Sequence, residues 1–413
     1  MHRLRQIRQF AIRRTFLCLF AAVLLAIGPS TARASREDDF KKLQSEYETA
    51  AQKFIATHRK ADPSDADLIR NFEELPLWRF LPRYLALAEA EPTDATALEC
   101  CNWVLTESGD HTGDKVVLPA EQKVWNIIAA NPAAADELPQ LSLQAAQSPS
   151  PVREQFLRNL LKKSTLTEQQ ASYVNLALAE LIARRINLSD ELRKRHETGF
   201  GDGVDKHLES RFAPEYANYL TEIDRKAAKE EAKGLYHTVI DQYGSVPKVS
   251  PMRLSAAEFA KQSLYALEHL DIGDVAPAIV GEDISGHPLK LEDYRGRVVV
   301  LSFWFSACEP CMEMVPDERE LNEKFKNRPF TLLGICGDSN RDQAKKTIAR
   351  EKIIWPCLFD GGQEGPVARA YNVSKWPTFY LIDPTGRIVD KDMNLDHLAD
   401  IVANQLDKSG KKK

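Results

Sequence analysis

Cysteine is scarce in this chain: seven residues in 413, too few for a disulfide-dense scaffold. The nine histidines form no His-x-x-x-His or comparable cluster, and there is no second Cys-x-x-Cys, so no metal site is assigned. An excess of positive charge is also missing. The formal net charge is −5, which argues against a nucleic-acid partner. The apolar run from Phe16 to Ile27 stops at twelve residues, short of the roughly 20 that span a bilayer. What remains is ordinary globular composition, 43% hydrophobic and 28% charged, over a length that suggests two or three domains.

The amino terminus carries Arg3, Arg5, Arg8, Arg13 and Arg14, then the short apolar run, then Ala32-Arg33-Ala34, an A-x-A cleavage signal. Residues 1–34 read as an export signal, with an uncleaved anchor as the weaker reading. Arg13-Arg14-Thr15-Phe16-Leu17 also resembles a twin-arginine signal, although Ile12 and Cys18 depart from its usual flanks. Residues 1–34 hold six Arg and no acid, so their removal takes the net charge from −5 to −11. Cys18 leaves with them, and six cysteines enter a compartment where disulfides persist. The terminal KSGKKK reads as a solvated basic end.

Residues 35–270 read as an all-helical array. In NLALAELIARR the spacing places Leu176, Leu178, Leu181 and Ile182 near one another on a helix. Prolines recur at joints (AEPTD at 90–94, ANPAA at 130–134, SPSPV at 148–152), which suggests stacked helical hairpins without a fixed repeat. GFGDG at 199–203 has no preceding strand, so it reads as a loop between helices rather than a phosphate cradle. Cys100 and Cys101 are adjacent, which disfavours both a shared metal and a mutual disulfide, and reads as helix core.

The period changes after a last helix opened by a Ser255/Glu258 capping box, with Gly273 as the boundary mark. Residues 271–413 alternate strand and helix, an α/β layer pattern. Strands are expected at 298–303, 330–336, 356–359, 378–382 and 387–390. Helices are expected at 309–325, 341–352, 367–371 and 395–406.

Within that pattern lies SFWFSACEPC, and its Cys308 and Cys311 need a purpose. Zinc would require two more ligands. A structural brace is poor, because closing so short a loop removes little chain entropy. A redox role fits both spacing and location. The run VVVLSF delivers Cys308 to a helix start, where free N–H groups and the helix dipole stabilise a thiolate. Cys308 is then the nucleophile and Cys311, one turn inside, the more shielded resolving thiol. Pro310 sits in the first turn, where its missing donor costs nothing. Glu309 places a negative charge beside the thiolate and opposes part of the dipole's effect.

Here the chain resembles the thioredoxin-like family, specifically the exported TlpA/ResA-type thiol-disulfide oxidoreductases. The resemblance spans about residues 271–413 and rests on GDVAPAIVGEDISGHPLKLEDYRGRVVVLSFW, on CEPC, and on AYNVSKWPTFYLIDPTGRIV. Trp376-Pro377-Thr378 matches the family's cis-proline loop, which implies substrate contact there; the bland reading of Pro377 is a turn proline. Ala307 replaces the usual tryptophan before the first cysteine. Ser302 stands where thioredoxins carry a buried aspartate, so that proton acceptor is absent from the strand. Asp338 matches an acidic position near the cysteines in ResA-like proteins, or else it caps the following helix. Cys336 and Cys357 fall on strands that can be neighbours and read as buried thiols in preference to a second redox pair.

The resemblance implies a dithiol/disulfide enzyme, tilted towards reduction, that needs no cofactor. Its partners would be a protein thiol or disulfide substrate and a redox donor protein, with membrane contact only if the signal stays uncleaved. Two rivals differ in class. A thiol peroxidase would need Pro-x-x-x-Thr/Ser-x-x-Cys, where Leu301 and Phe305 stand instead. A binding protein with a docked redox domain would not need Cys308, Cys311 and Pro377 intact.

Overall fold

A computed structural model describes residues 31–58, 64–198, 203–249, 254–373, 375–391 and 398–410. The first thirty residues of the expected signal, most of GFGDG and the last three lysines lie outside them. The chain divides into two units between Lys261 and Gln262.

The first unit is helical throughout its described residues. Its longer helices include α1 (Thr31–His58), α2 (Leu77–Ala90), α3 (Ala95–Glu107), α4 (Val117–Ala130), α5 (Pro151–Leu161), α6 (Glu168–Thr198) and α7 (Arg225–Gln242). Helix α6 is the axis of the array. From Tyr173 to Ile182 every side chain is buried, because other helices cover it on several sides and no polar face is left to solvate. Cys100 and Cys101 are buried unpaired thiols in α3. Arg153 and Glu121 form a buried ion pair at 2.5 Å. Ser150 Oγ and Thr112 Oγ1 also donate to the carboxylate, as a charge withdrawn from water requires.

The second unit begins within helix α8 (Ala256–His269), which Ser255 and Glu258 open with reciprocal hydrogen bonds. The sequence suggests a division at Leu270, but the last turn of α8 belongs to the sheet, because Ala266 and Leu270 pack into the sheet core. Gly273 follows at φ +96° and donates its N–H to Ile388, a conformation that favours glycine. A short hairpin, β1 (Val280–Glu282) with β2 (Pro288–Lys290), comes next. Strands of three residues show no period, so nothing in the sequence marks this hairpin.

Five strands form the main sheet: β3 (Val298–Trp304), β4 (Phe330–Cys336), β5 (Cys357–Phe359), β6 (Thr378–Ile382) and β7 (Ile388–Lys391), in the order β5-β4-β3-β6-β7. β4 is parallel to β3 and to β5, whereas β6 is antiparallel to β3 and to β7. Every residue of β3 is buried, which accounts for a continuous apolar run where a half-exposed strand would alternate. Its side chains still alternate between two cores. Val298, Val300 and Trp304 join α9 (Glu309–Phe325), α10 (Arg341–Glu351) and α11 (Leu398–Gly410). Val299, Leu301 and Phe303 face α8 and the short helix Pro366–Ala370. By the same alternation Ser302 points to the α9 side, where it meets a residue of that helix.

Candidate active site

β3 ends at Trp304, and the chain turns through Phe305, Ser306 and Ala307 into α9. Cys308 is the N-cap of that helix, and its sulfur accepts the Cys311 N–H at 3.1 Å. Pro310 occupies the first helical turn. Cys308 and Cys311 form a disulfide with Cα atoms 5.2 Å apart. They are 5% and 3% exposed, so exposure barely separates them in the oxidised form. The distinction lies in position: Cys308 ends the helix and Cys311 lies within it. Ala307, Glu309 and Pro310 are exposed around them.

The loop carrying Trp376 and Pro377 is brought to the same end of the sheet by pairing of Thr378 with Phe303. The Trp376–Pro377 bond is cis. The Trp376 ring meets Phe305 edge-on at 5.4 Å between centroids, which ties this loop to the turn before Cys308. Pro377 is half-buried. Thr378 follows the cis proline at the start of β6. Its side chain is buried and its hydroxyl donates to the Lys375 carbonyl at 2.7 Å, a bond that shapes the loop.

Asp338 follows β4 and is buried. It accepts the Ser306 N–H at 2.9 Å and the Ser306 hydroxyl at 2.5 Å, and the Cys336 sulfur lies 3.5 Å from the same carboxylate. The capping alternative is overturned: Asn340 caps α10, accepting from the N–H groups of Asp342 and Gln343. Asp338 instead clasps the turn two residues before Cys308.

Cys336 and Cys357 lie on neighbouring strands as unpaired, buried thiols. Burial pushes the Cys336 thiol up to about 12 and the Cys357 thiol well above its ordinary range, so neither is a ready nucleophile. The Cys357 sulfur rests on Gly334, where a β-carbon would stand 2.6 Å from it.

One residue escaped the sequence reading. Glu318 of α9 is buried, and its Oε1 accepts the Ser302 hydroxyl at 2.5 Å. Burial, assisted by the charge of Asp317, raises its carboxyl to about 7, and the Ser302 bond works against that rise. Its spacing, seven residues after Cys311, puts it two turns along one helix face, but nothing local in the sequence separates it from the exposed acids around it. Among the described residues no group of three or more His, Cys, Asp or Glu is placed to hold a metal.

A central strand feeding a Cys-x-x-Cys pair at a helix start, in a sheet of this order, defines a thioredoxin-like thiol-disulfide oxidoreductase. The AhpC/TSA family profile matches residues 272–391. Thiol-disulfide oxidoreductase ResA of Bacillus thuringiensis subsp. konkukian is 30% identical over 124 residues, covering 30% of this chain and 70% of that protein. ResA of Geobacillus kaustophilus is 33% identical over 117 residues, covering 28% of this chain and 66% of that protein. A crystal structure of the thioredoxin domain of a thiol-disulfide oxidoreductase from Bacteroides vulgatus, 31% identical, covers 33% of this chain and 98% of its own, with a TM-score of 0.32. Through its second unit the chain belongs to the ResA family of thiol-disulfide oxidoreductases.

Proposed function

We propose that the protein is an exported reductase of protein disulfides, with Cys308 as nucleophile and Cys311 as resolving thiol. The observation that carries this reading is Cys308 at the N-cap of α9, its sulfur accepting the Cys311 N–H. In the reduced dithiol, that donor and the positive end of a 17-residue helix favour the Cys308 thiolate. The thiolate attacks a substrate disulfide, and one substrate sulfur leaves with the bonding pair and takes up a proton. Cys311 then attacks Cys308 Sγ, the second substrate sulfur leaves, and two electrons have passed from the dithiol to the substrate. A donor protein dithiol restores Cys308 and Cys311 by the reverse exchange.

The loop at Trp376 and Pro377 is the proposed docking edge for an extended substrate segment, supported by its contact with the turn before Cys308. Export rests on the charge and apolar pattern of residues 1–34. No helix among the described residues is long and apolar enough to cross a membrane. A thiol peroxidase is not favoured, since Leu301 and Phe305 occupy the positions its motif requires. The domain limits of 35–270 and 271–413 are adjusted so that the end of α8, from Gln262, and Leu270 go with the redox unit.

The test is disulfide reduction by the mature chain with a chemical dithiol as donor. Cys308→Ser abolishes turnover, and Cys311→Ser accumulates mixed disulfides with substrate. Turnover that survived Cys308→Ser would overturn the assignment.

A further inference from the structure

The resolving step has a proton to dispose of in a dry place. Cys311 sits inside α9, 3% exposed, within a core cluster of Trp304, Met314 and Val315. A thiol there attacks only after losing its proton, and burial opposes the thiolate. The strand beneath offers a hydroxyl, Ser302, which is not basic. The carboxyl that meets this hydroxyl comes from the other layer: Glu318, 4% exposed, accepts its hydrogen bond at 2.5 Å.

Cys311 and Glu318 share one face of α9, two turns apart. Helical side chains lean towards the N-terminus, so the Glu318 carboxyl is carried back towards the disulfide and away from its own Cα. That lean shortens the span that a proton has to cross. Ser302 on β3 is bonded to Glu318; the titratable groups close enough to act on it through charge are Asp317, its exposed neighbour on α9, and the Cys357 thiol on β5, with the Cys336 thiol beyond it on β4. From α11 this layer receives Leu398, Val402 and Leu406, which are apolar. A carboxyl brought into such surroundings is worse for packing than a neutral side chain of its size.

We propose that Glu318 is the base of the resolving step, a carboxylate supplied by the helix where the strand holds only Ser302. As Cys311 attacks the mixed disulfide, its proton passes to Glu318, the Cys308–Cys311 bond forms, and the bond from Cys308 to the substrate sulfur breaks. That substrate sulfur leaves as a thiolate and is protonated from solvent. In the reverse direction Glu318 returns the proton to Cys311. A carboxyl raised to about 7 by burial and by Asp317 is matched to giving and taking a proton near neutrality. The proposal rests on the reductase reading above.

The test follows the reduced mature chain reacting with 5,5′-dithiobis(2-nitrobenzoate) in a stopped-flow instrument across pH. The first chromophore released reports attack by Cys308, and the second reports resolution by Cys311. In the parent protein the second rate rises with an inflection near 7. Glu318→Gln leaves the first rate within about twofold. It slows the second about tenfold or more at pH 7 and moves its inflection to the ordinary thiol range, roughly 8.5 or above. Ser302→Ala, which keeps Glu318 but removes the bond that lowers its carboxyl, moves the second inflection above that of the parent.

A second-phase profile in Glu318→Gln that superimposes on the parent would overturn the proposal. So would equal slowing of both phases without a change in pH dependence, the mark of a purely structural role. Should Glu318→Gln not fold, an unmoved inflection in Ser302→Ala overturns it instead. Failure of the reductase reading appears separately, as a first phase that persists in Cys308→Ser.

Discussion

Trp376 covers Gly337 so closely that a β-carbon on Gly337 would stand 2.6 Å from the indole ring. The ring also meets Phe305, so the turn before Cys308, the end of β4 and the loop at Pro377 share one contact. Gly337→Ala pushes the indole, and with it the loop, away from the Cys308 turn. Such overpacking costs about 1–3 kcal/mol. The expected result is a loss of protein-disulfide turnover about tenfold greater than any loss of Cys308 reactivity towards a small disulfide. Turnover and small-probe rates measured on one preparation check it.

Asp338 and Asn340 are separable despite lying two residues apart. Asp338→Ala leaves the half-buried Ser306 N–H and hydroxyl without their acceptor, which costs about 1 kcal/mol, the low end of the range for an unmet group because water reaches them in part. The loss appears in urea unfolding together with slower attack by Cys308, because the clasped turn is the one that positions it. Asn340→Ala removes a helix cap worth about 1 kcal/mol and leaves thiol rates unchanged.

Glu318 makes stability depend on pH with a definite sign. Its carboxyl rises from an ordinary 4.5 when unfolded to about 7 in the folded chain, so between these values the folded state binds the extra proton. Its contribution to stability is fully present below pH 4.5, is lost as pH rises towards 7, and is flat above, by roughly 3 kcal/mol in all. Glu318→Gln cannot titrate, so its stability relative to the parent grows through that window. Urea midpoints of the oxidised proteins at pH 5 and pH 8 read the difference directly.

The redox unit is expected to fold without the helical array, and to be more stable when the last turn of α8 and Leu270 stay with it. Leu270 is buried in the sheet core, and losing a buried leucine forfeits about 1.5–3 kcal/mol. A fragment of residues 262–413 therefore has a higher urea midpoint than one of residues 271–413. Both reduce a small disulfide about as well as the mature chain. If the helical array recruits partners, each captures fewer of them than the mature chain in the Cys311→Ser background; equal capture removes that role.

The sequence by itself determined much of this protein. Continuous apolar runs specify β3 and β4 because a strand buried on both faces has no polar side to show. Cys308 is legible as a helix cap because Pro310 and the strand before it leave little choice about where α9 starts. The Ser255/Glu258 capping box is equally local. Residues whose partners are distant in sequence were decided by tertiary structure alone. Glu318 lies among Glu313, Asp317 and Glu320, an acidic run that reads as a solvated helix surface. Only the packing of α9 on the Ser302 face of β3 turns this one carboxyl inward. Asp338 looks like a cap because a cap is a local device, yet its acceptor capacity is taken by Ser306, 32 residues earlier. Short-range hydrogen bonds and side-chain periods are written in neighbouring residues, whereas the burial and ionisation of an acid depend on which layers close over it.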